Sequence, residues 1–423
     1  ESEDCGEEDA DHSSEDDATP VWDQLEEHNL ISSKTRIVYE KVLLSTPGVA
    51  WIIAALAVWL YLWLYPDHGM AAISGNRSLF LATGIGVIAV VRAMVSLCAS
   101  IHFVGSMALR DALRHYRGLD RSGHLVGTIY DSTCSSFRLR NDFACIVIAL
   151  AAYFTLFRLW SRIGPATWAA ALLGMGAFHQ CLQGPKFVLM LLYGLSEDMI
   201  RQVIVRVEEG PNDEAGTPFW QHVIDEHKVM RMRLKALWGT ASWVYAPRLA
   251  FNSSIAIMSF SASLHTIIYN ASGLAVVLIA TCLWSVTSLI SHLKGISTLT
   301  QLCQSRDGQQ ESIINTCIER CGAHHTMTEQ QLKIAGYQDA EAERRDHDRF
   351  LHYLDSSPTG AELFNVVIDV GLVVRVSLSS VTALVSITSY LLISLGVSAT
   401  ELRNTLGLLP IVSRITERAG KAH

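Results

Sequence analysis

The chain lacks the common enzymatic signatures. It has no Walker loop, no G-x-S-x-G elbow, no H-E-x-x-H and no dinucleotide fingerprint. Asp67 and His68 stand together in a short loop, too isolated for acid–base work. The reading is a non-enzyme, with no cofactor, metal or nucleic-acid partner expected. Charge is scarce as well: Asp, Glu, Lys and Arg supply 17% of the 423 residues, against 50% apolar and a mean hydropathy of +0.26. That scarcity is uneven. Glu1 to Glu27 holds thirteen acidic side chains and no Lys or Arg, leaving 28 acidic and 33 basic residues in the remainder. Residues 1–27 are therefore expected to form a solvated, disordered acidic tail, with Trp22 and Leu25 marking where order begins. No cleavable signal peptide is expected, because the first apolar run starts at Gly48. Nor is there an internal repeat of the kind that marks many transporters.

What the chain does have is apolar length. Six segments stand out at Gly48–Tyr65, Leu79–Ile101, Phe143–Trp160, Thr167–Tyr193, Trp243–Tyr269 and Leu274–Leu293, and a seventh runs from Leu363 to Val397. Runs of this length predict an all-α integral membrane protein with seven transmembrane helices. With the N-terminus in the cytoplasm, 22 Lys and Arg flank the spans on the inner side, while the three opposing loops hold Arg77 and Arg162. The positive-inside rule therefore sets a cytoplasmic N-terminus. The sequons at Asn76 and Asn270 then fall outside and are candidate glycosylation sites, and none of the nine cysteines lies in an external loop. Residues 28–300 are expected to hold the first six helices, and 301–362 a cytoplasmic loop and helix. Glu226–Trp238 and Glu341–Leu354 read as helical continuations beyond the membrane, so the extended cytoplasmic helices predict an anchor.

Polar groups inside the apolar segments are the next signal, because intramembrane charge needs a partner or a water path. Arg92 could pair with Asp142 or snorkel inward. Arg158 and Arg162, with Trp160 and Trp168, make a basic and aromatic outer rim, explained equally by interfacial anchoring. Arg158, His179, Gln180, His265, Tyr269 and Trp284 could line a pocket for a small molecule, and interhelical hydrogen bonding accounts for the same residues. Cys317, Cys321, His324 and His325 have ligand chemistry for zinc, but the spacing matches no common signature and reduced thiols on a helix suffice.

The seventh segment is too long for one span. Its thirty-five residues would reach roughly 50 Å as a helix, against a hydrocarbon core of ~30 Å. Asp369 and Arg375 fall in its first half, and small hydroxyl residues fill its second. The expected division is an anchor half at Leu363–Ser379, a pore half at Val381–Val397 and a tail over 398–423. A two-span hairpin would return the basic tail inside, yet no Gly, Pro or Asn lies at the join.

Pro358-Thr-Gly-Ala-Glu-Leu-Phe364, then Ile368-Asp369, then an apolar run ending Ser389-Tyr390-Leu-Leu-Ile-Ser-Leu, resembles the terminal segment of the insect gustatory and odorant receptor superfamily. In that family the last membrane helix ends in Thr-Tyr, five apolar residues and Gln-Phe. Here Ser389-Tyr390 nearly keeps the first pair, and Gly396-Val397 replaces the second. The resemblance implies a divergent gustatory-receptor-like protein of the plasma membrane: a homotetramer with four last helices lining a central cation pore, and a ligand pocket within spans two to six. The expected function is thus a chemoreceptor-type, ligand-gated, non-selective cation channel with an unidentified small-molecule ligand. Thr382, Ser386, Ser389, Tyr390 and Ser394 form a polar stripe in steps of three and four, and Ile393 and Val397 are candidates for a hydrophobic gate. The alternative is a membrane transporter or lipid-handling protein without a central pore. A G-protein-coupled receptor is disfavoured, because its N-terminus would lie on the other side.

Overall fold

The structure is a computed structural model. It describes residues 20–28, 30–31, 33–38, 40, 44, 49–50, 52–57, 60, 77–119, 165–210, 219–268, 272–306, 311–326, 328–334, 340–356, 359–375, 379, 382 and 386. The all-α expectation holds for these residues, which are helical apart from connections and one small hairpin. In chain order the helices are α1 (Val21–Glu27), α2 (Ser33–Val38), α3 (Arg77–Val104), α4 (Met107–Arg114), α5 (Pro165–Glu209), α6 (Phe219–Ile268) and α7 (Ser272–Gln304). They continue with α8 (Ile313–Thr326), α9 (Glu329–Ile334) and α10 (Ala340–Ser356). Strands β1 (Glu362–Leu363) and β2 (Val366–Val367) follow, and helix resumes over 370–375.

Three of these helices are long. The 45, 50 and 33 residues of α5, α6 and α7 make rods of roughly 68, 75 and 50 Å at ~1.5 Å per residue. Helices α5 and α6 each join an apolar stretch to a charged one, so Glu226–Trp238 lies inside α6; Glu341–Leu354 lies inside α10. Within α3, Gly84–Val104 has a mean hydropathy of 2.1 and, among the described residues, is the one segment long and apolar enough to cross a membrane.

Local chemistry sets the ends. Ser106 caps α4 by accepting from the Leu109 N–H at 3.3 Å. Gly210, at φ 81°, closes α5, and Pro211 follows it. Arg320 of α8 donates to the Glu208 carbonyl there and occupies the space that a side chain on Gly210 would need. At the start of the described chain, α1 docks through fully buried Leu25 and through Trp22, whose ring stacks on Phe187 at 5.8 Å. Arg36 of α2 grips Asp23 and Glu26 of α1 at 2.6 and 3.0 Å. The last part of the expected acidic tail, Val21–Glu27, is therefore a folded helix.

Helix α6 is the central element, packed along α3, α5 and α7. The main apolar cluster gathers Phe103, Phe187, Trp220, Trp238, Tyr245 and Phe350, and a smaller one forms from Ile85, Ile255, Ala262 and Leu278. At one end of the bundle α8 and α10 close around α5 and α6 to make a collar. There Trp220 and His227 of α6 meet His347, Phe350 and Tyr353 of α10 ring to ring. His347 Nε2 also bonds the carbonyl of buried Cys317 at 3.1 Å, tying α10 to α8. Arg201 of α5 sits between Glu197 and Glu311 at 2.8 and 2.6 Å, and burial makes this pair part of the collar's interior. Asp198 accepts from the backbone N–H groups of Arg117 and Leu119 at 3.0 and 2.6 Å, fixing the chain after α4.

One expectation is corrected. Leu363–Ser379 was expected to be the helical anchor half, but it opens as an antiparallel hairpin pairing Glu362 with Val367 and Leu363 with Val366. Helix starts at Val370. Phe364 and Asn365, at φ 52° and 63°, both occupy the left-handed region. That is the twist a two-residue hairpin turn requires, and Asn tolerates it far better than Phe.

Candidate functional site

Two features carry chemistry: a buried polar seam within the bundle and the root of the last helix. The seam is built by residues one helical turn apart. Helix α3 supplies Arg92 and Ser96, α6 supplies Arg248 and Asn252, and α7 supplies Trp284 or Ser285, then Ser288, then His292. Steps of four keep each set on one face. Arg92, Ser96, Asn252 and Ser285 are fully buried, and Arg248 nearly so.

The Arg92 guanidinium lies over the Trp284 ring, 5.5 Å from its centroid. Asn252 Nδ2 donates to Ser288 Oγ at 3.5 Å. Toward the collar, Tyr245 of α6 donates to the Tyr193 hydroxyl of α5 at 2.6 Å, and Tyr193 donates to the His292 carbonyl at 3.1 Å. Gly295 is required here, since a Cβ would meet the Tyr193 hydroxyl at 2.8 Å. Trp238 stacks on Tyr245 and donates to Ser196 Oγ at 2.9 Å, which closes the seam below. Among the described residues Ser96 Oγ, Asn252 Oδ1, Ser259 Oγ and Ser285 Oγ are shut away from solvent without a hydrogen-bond partner. Such a group costs about 1–3 kcal/mol, so four in one bundle call for an explanation.

The root of the last helix is bolted to the bundle at three points. Gln304 of α7 donates to the Thr359 carbonyl at 2.7 Å, and Thr300 Oγ1 accepts from the Ala361 N–H at 3.3 Å. Gly360 lies so close to Thr300 that a Cβ would meet it at 2.7 Å. On the other side Phe364 N–H donates to Ser242 Oγ of α6 at 3.2 Å. Trp243 stands edge-on to Phe364 at 6.3 Å, both well exposed. Asp369 then caps the helix: its carboxylate accepts from the Leu372 N–H at 2.5 Å, and its carbonyl from Val373. Leu372 and Val373 pack on the main core, whereas Val370, Val374, Arg375, Ser379, Thr382 and Ser386 are exposed.

The residues expected from sequence fall in different places in the fold. Thr382 and Ser386 share an exposed helical face. Ser389, Tyr390, Ile393, Ser394, Val397, Arg158, Tyr269, Asn76, Asn270 and Asp142 lie outside the described residues, as do the side chains of His179, Gln180, Cys321, His324 and His325. His265 and Trp284 are both buried. They are not neighbours, however. Counted from the turn between α6 and α7, Trp284 sits roughly 14 Å deeper at ~1.5 Å per residue. Trp284 belongs to the seam and His265 to another level. Sequence reasoning missed Arg248, although a basic residue in an apolar run was the signal that picked out Arg92. It also missed Ser96, Asn252 and the Tyr193–Tyr245 pair, which only the helix register brings together. No family model matches the chain, and no curated protein matches it.

Proposed function

We propose that the chain is one protomer of a chemoreceptor-type ligand-gated cation channel. In this reading seven helices span the plasma membrane with the N-terminus in the cytoplasm, the collar is a cytoplasmic anchor, and spans two to six hold a small-molecule ligand. Four copies surround a pore lined by the last helix, from Thr382 and Ser386 through Ser389, Tyr390 and Ser394, with Ile393 and Val397 as the gate.

The observation that carries the reading is the position of the last helix at its root. The hairpin clamps it to α6 and α7, yet Ser379, Thr382 and Ser386 point away from the protomer's own core. Their steps of three and four make one hydroxyl-bearing face. Hydroxyl groups in membrane helices turn to neighbouring helices or water rather than to lipid tails. A face of that composition, outside its own bundle, suits a helix shared with other copies around a wet axis. The rods of α5, α6 and α7, longer than a bilayer needs, support the anchor.

The test is cation flux into vesicles holding the reconstituted full chain, with Ser386→Cys treated with a charged, membrane-impermeant thiol reagent. Block of the variant and none of the wild type is expected, together with four-fold particles. Flux indifferent to modification, or a monomer in detergent, would refute the channel and favour a transporter or lipid-handling protein.

A further inference from the structure

Helix α4 presents an arginine face. Arg110 and Arg114 stand one turn apart on that helix, and Arg117 follows just past its cap. Arg114 and Arg117 are exposed and Arg110 is half-buried, beside a Met107 that is itself 70% exposed. Among the described residues none of the three guanidiniums forms an ion pair, and Arg110 Nη1 rests on the Met107 sulfur at 3.8 Å.

The carboxylates nearby are engaged elsewhere. Asp111 accepts from Arg233 of α6 at 3.2 Å, and Asp198 of α5 accepts from the backbone N–H groups of Arg117 and Leu119. Asp23 and Glu26 of α1 hold Arg36. Arg233 also donates to His115 Nε2 at 2.9 Å, which brings a fourth guanidinium to the same helix end. Like charges gathered on one short helix repel one another and attract an anion that can reach them.

The fold brings such an anion to this face. Helix α1 packs against α4, and the His28 ring stands edge-on to Tyr116, at 5.6 Å, between Arg114 and Arg117 in sequence. Residues 1–19, which lead into α1 and lie outside the described residues, carry ten Asp and Glu and no Lys or Arg. The seven residues of α1 are about 10 Å long, whereas nineteen residues reach roughly 65 Å extended and roughly 25 Å as a coil. Arg114 and Arg117 are therefore within reach of a polyanion held beside them by a short tether, which keeps its effective concentration high.

We propose that residues 1–19 dock across Arg110, Arg114 and Arg117 as an intramolecular clasp held by charge. Exposed ion pairs are weak singly and screened by salt, so the number of carboxylates and the tether hold the clasp, and rising ionic strength opens it. The inference goes beyond the channel reading and needs neither a pore nor a membrane.

The experiment uses the full chain in a neutral detergent and follows cleavage after Glu7, Glu8 and Glu15 by a Glu-specific protease. At low salt the wild type should be cut about tenfold more slowly than Arg110→Gln/Arg114→Gln/Arg117→Gln, and at about 0.5 M salt the two should be cut alike. If the triple variant does not keep the wild-type unfolding midpoint, Arg114→Gln/Arg117→Gln alters exposed side chains alone, and the same direction is expected. Arg114→Lys/Arg117→Lys keeps the charge and should keep the protection. In that variant a carbodiimide should join the new amines to carboxylates of residues 1–19, and high salt should prevent it. With light and heavy isotope-labelled chains mixed, joined peptides of a single label are expected; joined peptides of mixed label would move the segment to a second copy and overturn the clasp. Equal cleavage of wild type and triple variant at low salt, or cross-links to other segments alone, would also overturn it. If that equality came with loss of the triple variant's binding to phosphatidylserine micelles, the face would belong to anionic lipid instead.

Discussion

Replacing His227 with phenylalanine should remove a specific part of the protein's sensitivity to acid. His227 lies fully buried in the collar, its ring edge-on to Phe350 and Tyr353 at 5.8 and 5.4 Å. Neither ring nitrogen finds a hydrogen-bond partner among the described residues. Burial, aided by the charge of Arg231 one turn away, pushes its pKa down from 6.5 to about 4. The folded state therefore holds the imidazole neutral, while the unfolded chain takes up a proton as the pH falls below 6.5. Stability is full above that value, falls as the pH drops toward 4, and changes no further through this group below it. A displacement of that size corresponds to about 3 kcal/mol, or roughly 5 °C in the unfolding midpoint of a protein this large. The assay compares midpoints of wild type and His227→Phe in the same detergent across that pH range. Other groups contribute equally to both curves, so the difference isolates His227. The variant should match or exceed the wild type at neutral pH and pull ahead on acidification. Parallel curves would refute the argument, and with it the claim that this ring is held neutral by the collar.

Three further outcomes follow from the same coordinates. Gly360→Val drives a side chain into Thr300 and should cost about 1–3 kcal/mol, visible as faster hydrogen exchange at Ala361 and Phe364 as the hairpin lifts. Asp369→Ala removes the cap of the last helix and should cost about 1 kcal/mol, with Asp369→Asn restoring most of it in the same exchange measurement. Arg201→Met strands buried Glu197 and should destabilise the collar by about 3 kcal/mol, whereas Arg201→Met with Glu197→Leu should recover much of the loss in the unfolding midpoint.

The long rods were legible because an apolar stretch such as the one from Trp243 follows an amphipathic, charged one such as Glu226–Trp238 after four residues with no proline among them, Pro247 lying inside the apolar stretch itself. The hairpin was not legible. Two-residue strands carry no periodicity, and Leu363 to Ile368 is as apolar as the helix it precedes. Asp369 looked like a charge within an apolar run; its role as a cap depends on where the hairpin ends. The seam failed to appear for a different reason. Ser96, Asn252 and Ser285 are unremarkable in their own helices, and they become a site only when three helices are brought into register around Arg92 and Arg248.

Pro247 gives α6 a mechanical character. It offers no N–H to the Trp243 carbonyl, so the rod lacks one of its ties at this point. The weak point lies five residues from Ser242, where the hairpin is fastened, and twenty-one from Ile268 at the far end. Those arms are roughly 8 and 32 Å at ~1.5 Å per residue. A tilt about Pro247 is therefore reduced about fourfold between the tip of α6 and the fastening of the last helix. The geometry is that of a reduction gear: a broad swing at the Ile268 end becomes a short, forceful displacement at the foot of the last helix.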